Sequence, residues 1–229
     1  MKEFWNERYS GAGYVYGTEP NAWFAEQLAR LAPGRLLLPA EGEGRNAVHA
    51  ARAAWEVTAF DISEAGRNKA MALAGQHGVR LEYHVGTLAE IPSLPADFDA
   101  LGLVFAHFPA AIRSSLTRDL LTHLRTGGAV IFEAFAKAQL SYQAIHQSGG
   151  PQQADMLYSV EEVHAEFPGI EFHRLEEVEV ELREGVFHSG LARVVRGLGV
   201  KHYSTVTSVL LFCALPSSVS FVATGFVSP

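Results

Sequence analysis

The segment from Arg35 to Ser63 restricts the possible folds more than any other part of this 229-residue chain. It opens with an apolar run, Leu36 to Leu38, long enough only for a buried strand. A tight stretch follows, with small residues at Ala40, Gly42 and Gly44. Arg45 to Ala54 then has helical spacing, with Ala47, Ala50, Ala51 and Ala54 on a close-packing face. A second strand, Val57 to Phe60, ends at Asp61 and leads through Ile62 to Ser63. Small residues let a backbone approach a ligand, and a helix start offers free N–H groups. An acid after the second strand can accept both hydroxyls of a ribose. This strand–loop–helix–strand–acid unit predicts a nucleoside-containing cofactor.

Two cofactors suit such a unit. Gly42-Glu43-Gly44-Arg45-Asn46-Ala47 fits the G-x-G-x-x-A pattern of nicotinamide dinucleotide sites. Glu41 and Glu43, however, place two carboxylates in the loop that would hold a pyrophosphate. Those carboxylates suit a ligand carrying an ammonium and a sulfonium, as S-adenosyl-L-methionine does.

The rest of the chain bears on this choice. Before the unit, Asn21 to Ala32 has helical spacing, ended by Pro33-Gly34. After it, Ser63 caps a helix to about His77, and Gly78 stops it. Strands are expected over Val79–Val85, Asp99–His107 and Ala129–Phe135. A helix over Pro109–Leu124 should bury Ile112, Leu116, Leu120 and Leu121. Alternating strands and helices predict a parallel, doubly wound sheet. The pattern then changes. A helix is expected over 138–147, and Ser159 to Glu162 forms a capping box. Ile170–Leu182 and Gly190–Gly199 flank Arg183-Glu184-Gly185 as a hairpin. The expected fold is thus α/β, a doubly wound (Rossmann-like), mostly parallel seven-stranded sheet ending in an antiparallel hairpin. That ending favours S-adenosylmethionine, because a dinucleotide sheet continues parallel.

Composition narrows the partners. A formal net charge of −7 without an offsetting Lys/Arg cluster argues against nucleic acid. The single cysteine, Cys213, leaves no internal disulfide and fits a reducing cytosol. No His-x-x-x-His pair with a nearby acid suggests a metal. The N-terminus lacks the apolar core of a signal peptide, so a cytoplasmic protein with a small-molecule substrate is expected.

At this point the chain resembles class I S-adenosylmethionine-dependent methyltransferases, and more narrowly the tellurite-resistance-type and thiopurine-type methyltransferases. The likeness is carried by Trp5-Asn6-Glu7-Arg8-Tyr9, Tyr16-Gly17-Thr18-Glu19-Pro20-Asn21, Gly42 to Ala47, Val57 to Ser63 and Leu124-Arg125-Thr126-Gly127-Gly128. It covers about residues 3 to 201. The resemblance implies a methyltransferase domain over 1–201, with 1–18 as a lid, and cofactor contacts at Ala40, Glu41, Gly42, Gly44, Asn46, Asp61, Ile62, Thr87 and Leu88. Leu38 stands where the family usually has an acid, and Ala40-Glu41 where it has Gly-Cys. Glu41 is therefore expected to take the methionine ammonium, and the Thr87 hydroxyl to serve the adenine.

Three residues are candidates for chemistry. His107, at the mouth of the fourth strand, is either a general base or a histidine bonding a loop carbonyl. Arg8 either steers an anionic substrate or forms a surface ion pair. Tyr16 either closes over the transfer site or anchors the leader. Glu133 and Phe135 are expected at the same mouth, and His188 is expected to be solvated on the hairpin turn. The acceptor implied by the resemblance is a small molecule, including soft sulfur, selenium or tellurium nucleophiles. An NAD-dependent oxidoreductase and a catalytically silent cofactor-binding protein are the rivals. Residues 203–229 carry no charged side chain. This uncharged extension is expected to pack as a hairpin on the body or in a homodimer.

Overall fold

The computed structural model describes residues 1–91 and 93–202. The expected C-terminal hairpin and its dimer contact lie outside these residues. Among the described residues, no helix is long and apolar enough to cross a membrane.

Seven strands form one sheet: β1 (Arg35–Pro39), β2 (Glu56–Asp61), β3 (Glu82–Val85), β4 (Phe98–Val104), β5 (Leu124–Phe135), β6 (Ile170–Glu184) and β7 (His188–Lys201). Their order is β3-β2-β1-β4-β5-β7-β6. β1 to β5 run parallel, and β7 enters antiparallel between β5 and the edge strand β6. This is the expected architecture. The central strands are buried on both faces, as parallel strands covered by helices must be.

The helices are α1 (Lys2–Arg8), α2 (Ala22–Leu28), α3 (Arg45–Arg52), α4 (Glu64–Gln76), α5 (Ala110–His123), α6 (Gln139–His146) and α7 (Val160–Glu166). Ser63 caps α4 through a bond from the Gly66 N–H, and Ser159 with Glu162 makes the expected capping box on α7. Several boundaries differ from the sequence reading: β3 begins at Glu82 and not Val79, and β5 at Leu124 and not Ala129. α1 makes the start of the expected lid segment helical. α2 ends at Leu28 and not Ala32. β4 stops at Val104, because Phe105 turns into the left-handed region at φ +51°. That turn places His107 on the connector beyond the strand.

The buried face of α5 is also rotated from expectation. Ile112 is 50% exposed, while Arg113 and Thr117 are buried with Leu120 and Leu121. The Arg113 guanidinium can go inside because Glu166 (2.8 Å) and the Leu157 carbonyl (3.1 Å) satisfy it.

Strand order reverses between β1 and β4, so the crevice at their carboxyl ends is the topological switch point where ligands of such sheets bind. Ala40 and Phe105, just beyond those two ends, both adopt left-handed backbone (φ +51° each), an uncommon conformation for residues with a Cβ.

Candidate active site

A cavity of about 1310 Å³ opens at this switch point. That exceeds the roughly 300–1,000 Å³ of an ordinary small-molecule site, and leaves room for a nucleoside cofactor beside a second molecule. It has two ends of different chemistry.

One end is lined by Ala40, Glu41, Asn46, Asp61, Ile62, Gly86, Thr87 and Leu88. Asp61 is held rigidly: Oδ2 accepts from the Gly42 N–H (3.1 Å) and Oδ1 from the Ser63 N–H (2.8 Å). Each oxygen keeps a further lone pair for a ligand hydroxyl. Burial raises the Asp61 pKa against those bonds. Burial also pushes Glu41 up to about 7. Its Oε1 accepts from the Ala47 N–H (2.8 Å), inside the first turn of α3. A carboxylate therefore occupies a helix-start amide that a pyrophosphate would need. The donor set fits a cation and a ribose diol, not a dinucleotide.

Three of the expected ligand contacts have other work. Gly42 and Gly44 do not line the cavity. A Cβ on Gly44 (φ +86°) would lie 2.4 Å from Ala70 Cβ on α4, and one on Gly42 (φ +62°) would lie 2.7 Å from the Tyr9 hydroxyl. These glycines let the loop pack against its own protein, with the ligand face supplied by their neighbours. The Thr87 hydroxyl gives its proton to Glu90 Oε2 (2.9 Å), which also accepts the Thr87 N–H (2.7 Å). It can face an adenine only as an acceptor.

Glu43 is an anchor. Its carboxylate accepts the Val15 (2.7 Å) and Tyr16 (3.3 Å) N–H groups and pairs with Lys69 (2.8 Å). Lys69 also donates to the Gly13 carbonyl. The Val186 N–H bonds the Val15 carbonyl (2.9 Å), so residues 13–16 are clamped between the glycine loop and the β6–β7 turn.

The other end is aromatic: Tyr16, Phe105, His107, Phe135, Phe187 and His188, with Arg8 and α1 above. Arg8 makes no ion pair among the described residues; its guanidinium lies over the rings of Phe187 (4.2 Å) and Phe4 (4.9 Å). The Tyr16 backbone anchors the leader, and its ring lines the cavity 4.5 Å from the His188 ring. Burial raises its pKa, with Arg8 acting in opposition.

Of the two readings of His107, the structure shows the histidine bonded to a loop carbonyl. Nδ1 donates to the Met156 carbonyl (2.8 Å) and Nε2 accepts the Phe135 N–H (3.3 Å). That pattern fixes a neutral tautomer, and burial depresses its pKa to about 4. Glu133 is also withdrawn. Fully buried, it accepts from Asn21 Nδ2 (2.6 Å) and pairs with Arg196. The expectation for His188 is overturned in the opposite direction. The residue is only 7% exposed, because β7 begins at His188 itself and turns its ring inward against Tyr16, Phe105 and Phe135. A period-two count outward from the paired interior of β7 was the signal available for this residue.

The sequence matches the family described as "Methyltransferase domain" over residues 39–128, from the end of β1 into β5. No curated protein sequence matches the chain. Solved structures are similar at low identity. One, reported under "Conversion of a Disulfide Bond into a Thioacetal Group during Echinomycin Biosynthesis", has TM-score 0.72 and 16% identity, covering 90% of this chain and 93% of that one. TehB from Haemophilus influenzae has TM-score 0.63 and 14% identity over 87% of this chain and 66% of its own. A S-adenosylmethionine-dependent methyltransferase from Clostridium acetobutylicum has TM-score 0.57 and 14% identity, over 79% and 91%. Residues 39–128 thus match a methyltransferase domain, the chain has the fold of solved S-adenosylmethionine-dependent methyltransferases, and the carboxylate-lined end of the cavity fits S-adenosyl-L-methionine as cofactor.

Proposed function

We propose that the protein methylates a small-molecule acceptor through a soft chalcogen atom, sulfur first. The observation that carries this is the aromatic end of the cavity. Tyr16, Phe105, Phe135 and Phe187 offer polarizable ring faces, which sulfur contacts favourably. The acids nearest this end are engaged: Glu133 with Arg196, and Glu184 with Arg45. A similar structure concerned with turning a disulfide into a thioacetal lends support, since that is chemistry at sulfur. The N-terminal Trp5 to Tyr9 and Tyr16 to Asn21 segments, resembling tellurite-resistance-type enzymes, extend the class to heavier chalcogens.

S-adenosylmethionine supplies an activated methyl carbon on a sulfonium. The chain's own part is orientation and exclusion of water, effects that can contribute roughly 7–11 kcal/mol. Glu41 and Asp61 are placed to hold the methionine ammonium and the ribose. Tyr16, clamped through its N–H to Glu43, sets one wall of the transfer zone, and α1 covers it as a lid.

An acceptor screen scored by S-adenosylhomocysteine release tests this. Thiols, selenite and tellurite should turn over faster than matched phenols and amines. Preferential turnover of phenols or amines would refute the chalcogen assignment.

A further inference from the structure

The aromatic end contains a second imidazole with no satisfied nitrogen. His188 Nδ1 lies 3.6 Å from Glu184 Oε2 and has no hydrogen-bond partner. No group among the described residues bonds its Nε2, and the ring lines the cavity. Glu184 is itself fixed: Oε2 pairs with Arg45 Nη2 (2.7 Å) and Oε1 accepts from Asn21 Nδ2 (2.8 Å). The Gly149 backbone closes over the ring so tightly that a Cβ there would meet the Phe187 carbonyl oxygen at 1.9 Å and His188 Cδ2 at 3.1 Å. His107 beside it has both nitrogens committed to backbone.

Building on the chalcogen reading, we propose that His188 is the general base of the reaction, with Glu184 as its positioning residue, and that the acceptor is a neutral thiol on an apolar body. An acceptor already anionic would need no such base. Burial lowers the pKa of His188 against the pull of Glu184, which keeps the imidazole neutral and able to take a proton at pH 7. The charged or titratable groups facing it are Glu184, Arg45, Arg8, His107 and Tyr16. Phe4, Ile112 and Phe187 line the cavity while remaining substantially exposed, an apolar rim suited to the body of the thiol.

In the step, the S–H proton of the acceptor passes to His188 Nε2. The acceptor sulfur would form the new bond to the methyl carbon as the bond from that carbon to the sulfonium sulfur breaks, its electron pair staying on the departing, now neutral, sulfur. The imidazolium, stabilised by Glu184, then loses its proton to solvent. The products are a methyl thioether, S-adenosylhomocysteine and one proton.

The test uses two probes with the full-length protein: benzyl mercaptan, protonated at neutral pH, and 4-nitrothiophenol, already a thiolate. His188→Asn should slow methylation of benzyl mercaptan on the order of 10²-fold, with a loss at least tenfold smaller for 4-nitrothiophenol. Glu184→Gln should move the acidic limb of the benzyl mercaptan pH–rate profile to lower pH, because removing the anion disfavours the imidazolium. S-adenosylhomocysteine affinity reports that each variant is folded, and His188→Gln replaces an unfolded asparagine variant. Equal losses on both thiols, or an unmoved limb, would overturn the proposal. Wild-type protein that binds S-adenosylhomocysteine but methylates neither thiol would overturn it while leaving the methyltransferase assignment standing. Failure to bind S-adenosylhomocysteine would overturn both.

Discussion

The two ends of the cavity are built in different ways. The carboxylate end comes from one continuous stretch, β1 through the loop after β3, and most of its polar atoms are bonded to backbone within that stretch. The aromatic end gathers Arg8, Tyr16, Phe105, Phe135 and His188 from five separate places in the chain. A local unit can be rigid before any ligand arrives. An assembled one depends on clamps such as Glu43 and Glu184.

The largest effect should come from the loop of the local unit. Gly44→Ala adds a Cβ against Ala70 at a positive φ, and should destabilise the fold by about 2–5 kcal/mol in urea unfolding, from overpacking and left-handed strain together. Ala70→Gly in the same chain should recover the packing part. If it recovers nothing, the glycine is not there for helix packing.

Asp61→Ala should weaken S-adenosylhomocysteine binding by about 1.5–3 kcal/mol, the range for hydrogen bonds to charged groups, with little effect on acceptor KM. Calorimetry giving an affinity within twofold of wild type would remove Asp61 from the ribose role.

How legible these ends were follows from how they are built. The strand–loop–helix–strand–acid pattern is local, so the seven-strand sheet and the position of Asp61 and Glu41 at the cavity, at the end of β2 and beyond β1, could be anticipated. The reason for Gly44 could not, because Ala70 lies on the next helix. The two readings of His107 stayed open because nothing in the sequence brings the Met156 carbonyl and the Phe135 N–H to its ring. His188 looked solvated because Arg183-Glu184-Gly185 reads as an exposed turn, while Tyr16 and the Gly149 segment cover it from far away in sequence.

Glu41 offers a subtler contrast through pH. With its free-state pKa at about 7, the carboxylate that would hold an ammonium is partly protonated near neutrality. Binding a cation must expel that proton. S-adenosylhomocysteine affinity should therefore rise with pH, by up to about tenfold per unit below 7, and level off above it. Glu41→Gln should flatten the profile between pH 5.5 and 8. A wild-type profile already flat across that range would place the ammonium elsewhere.

The smallest effect concerns α1. If it covers the transfer zone as a lid, amides of residues 2–9 should exchange more slowly when S-adenosylhomocysteine binds. Residues 13–16, held by Glu43 and Lys69 in the free protein, should change less. Slowing confined to 13–16 would reverse that assignment.

The most direct test of the whole account is a crystal structure of the complex with S-adenosylhomocysteine. The account predicts the ribose hydroxyls on Asp61, the methionine ammonium within hydrogen-bond reach of Glu41, and the thioether sulfur facing the Tyr16 and His188 end. A ligand bound with its ribose away from Asp61, or with its sulfur turned from that aromatic end, would contradict it.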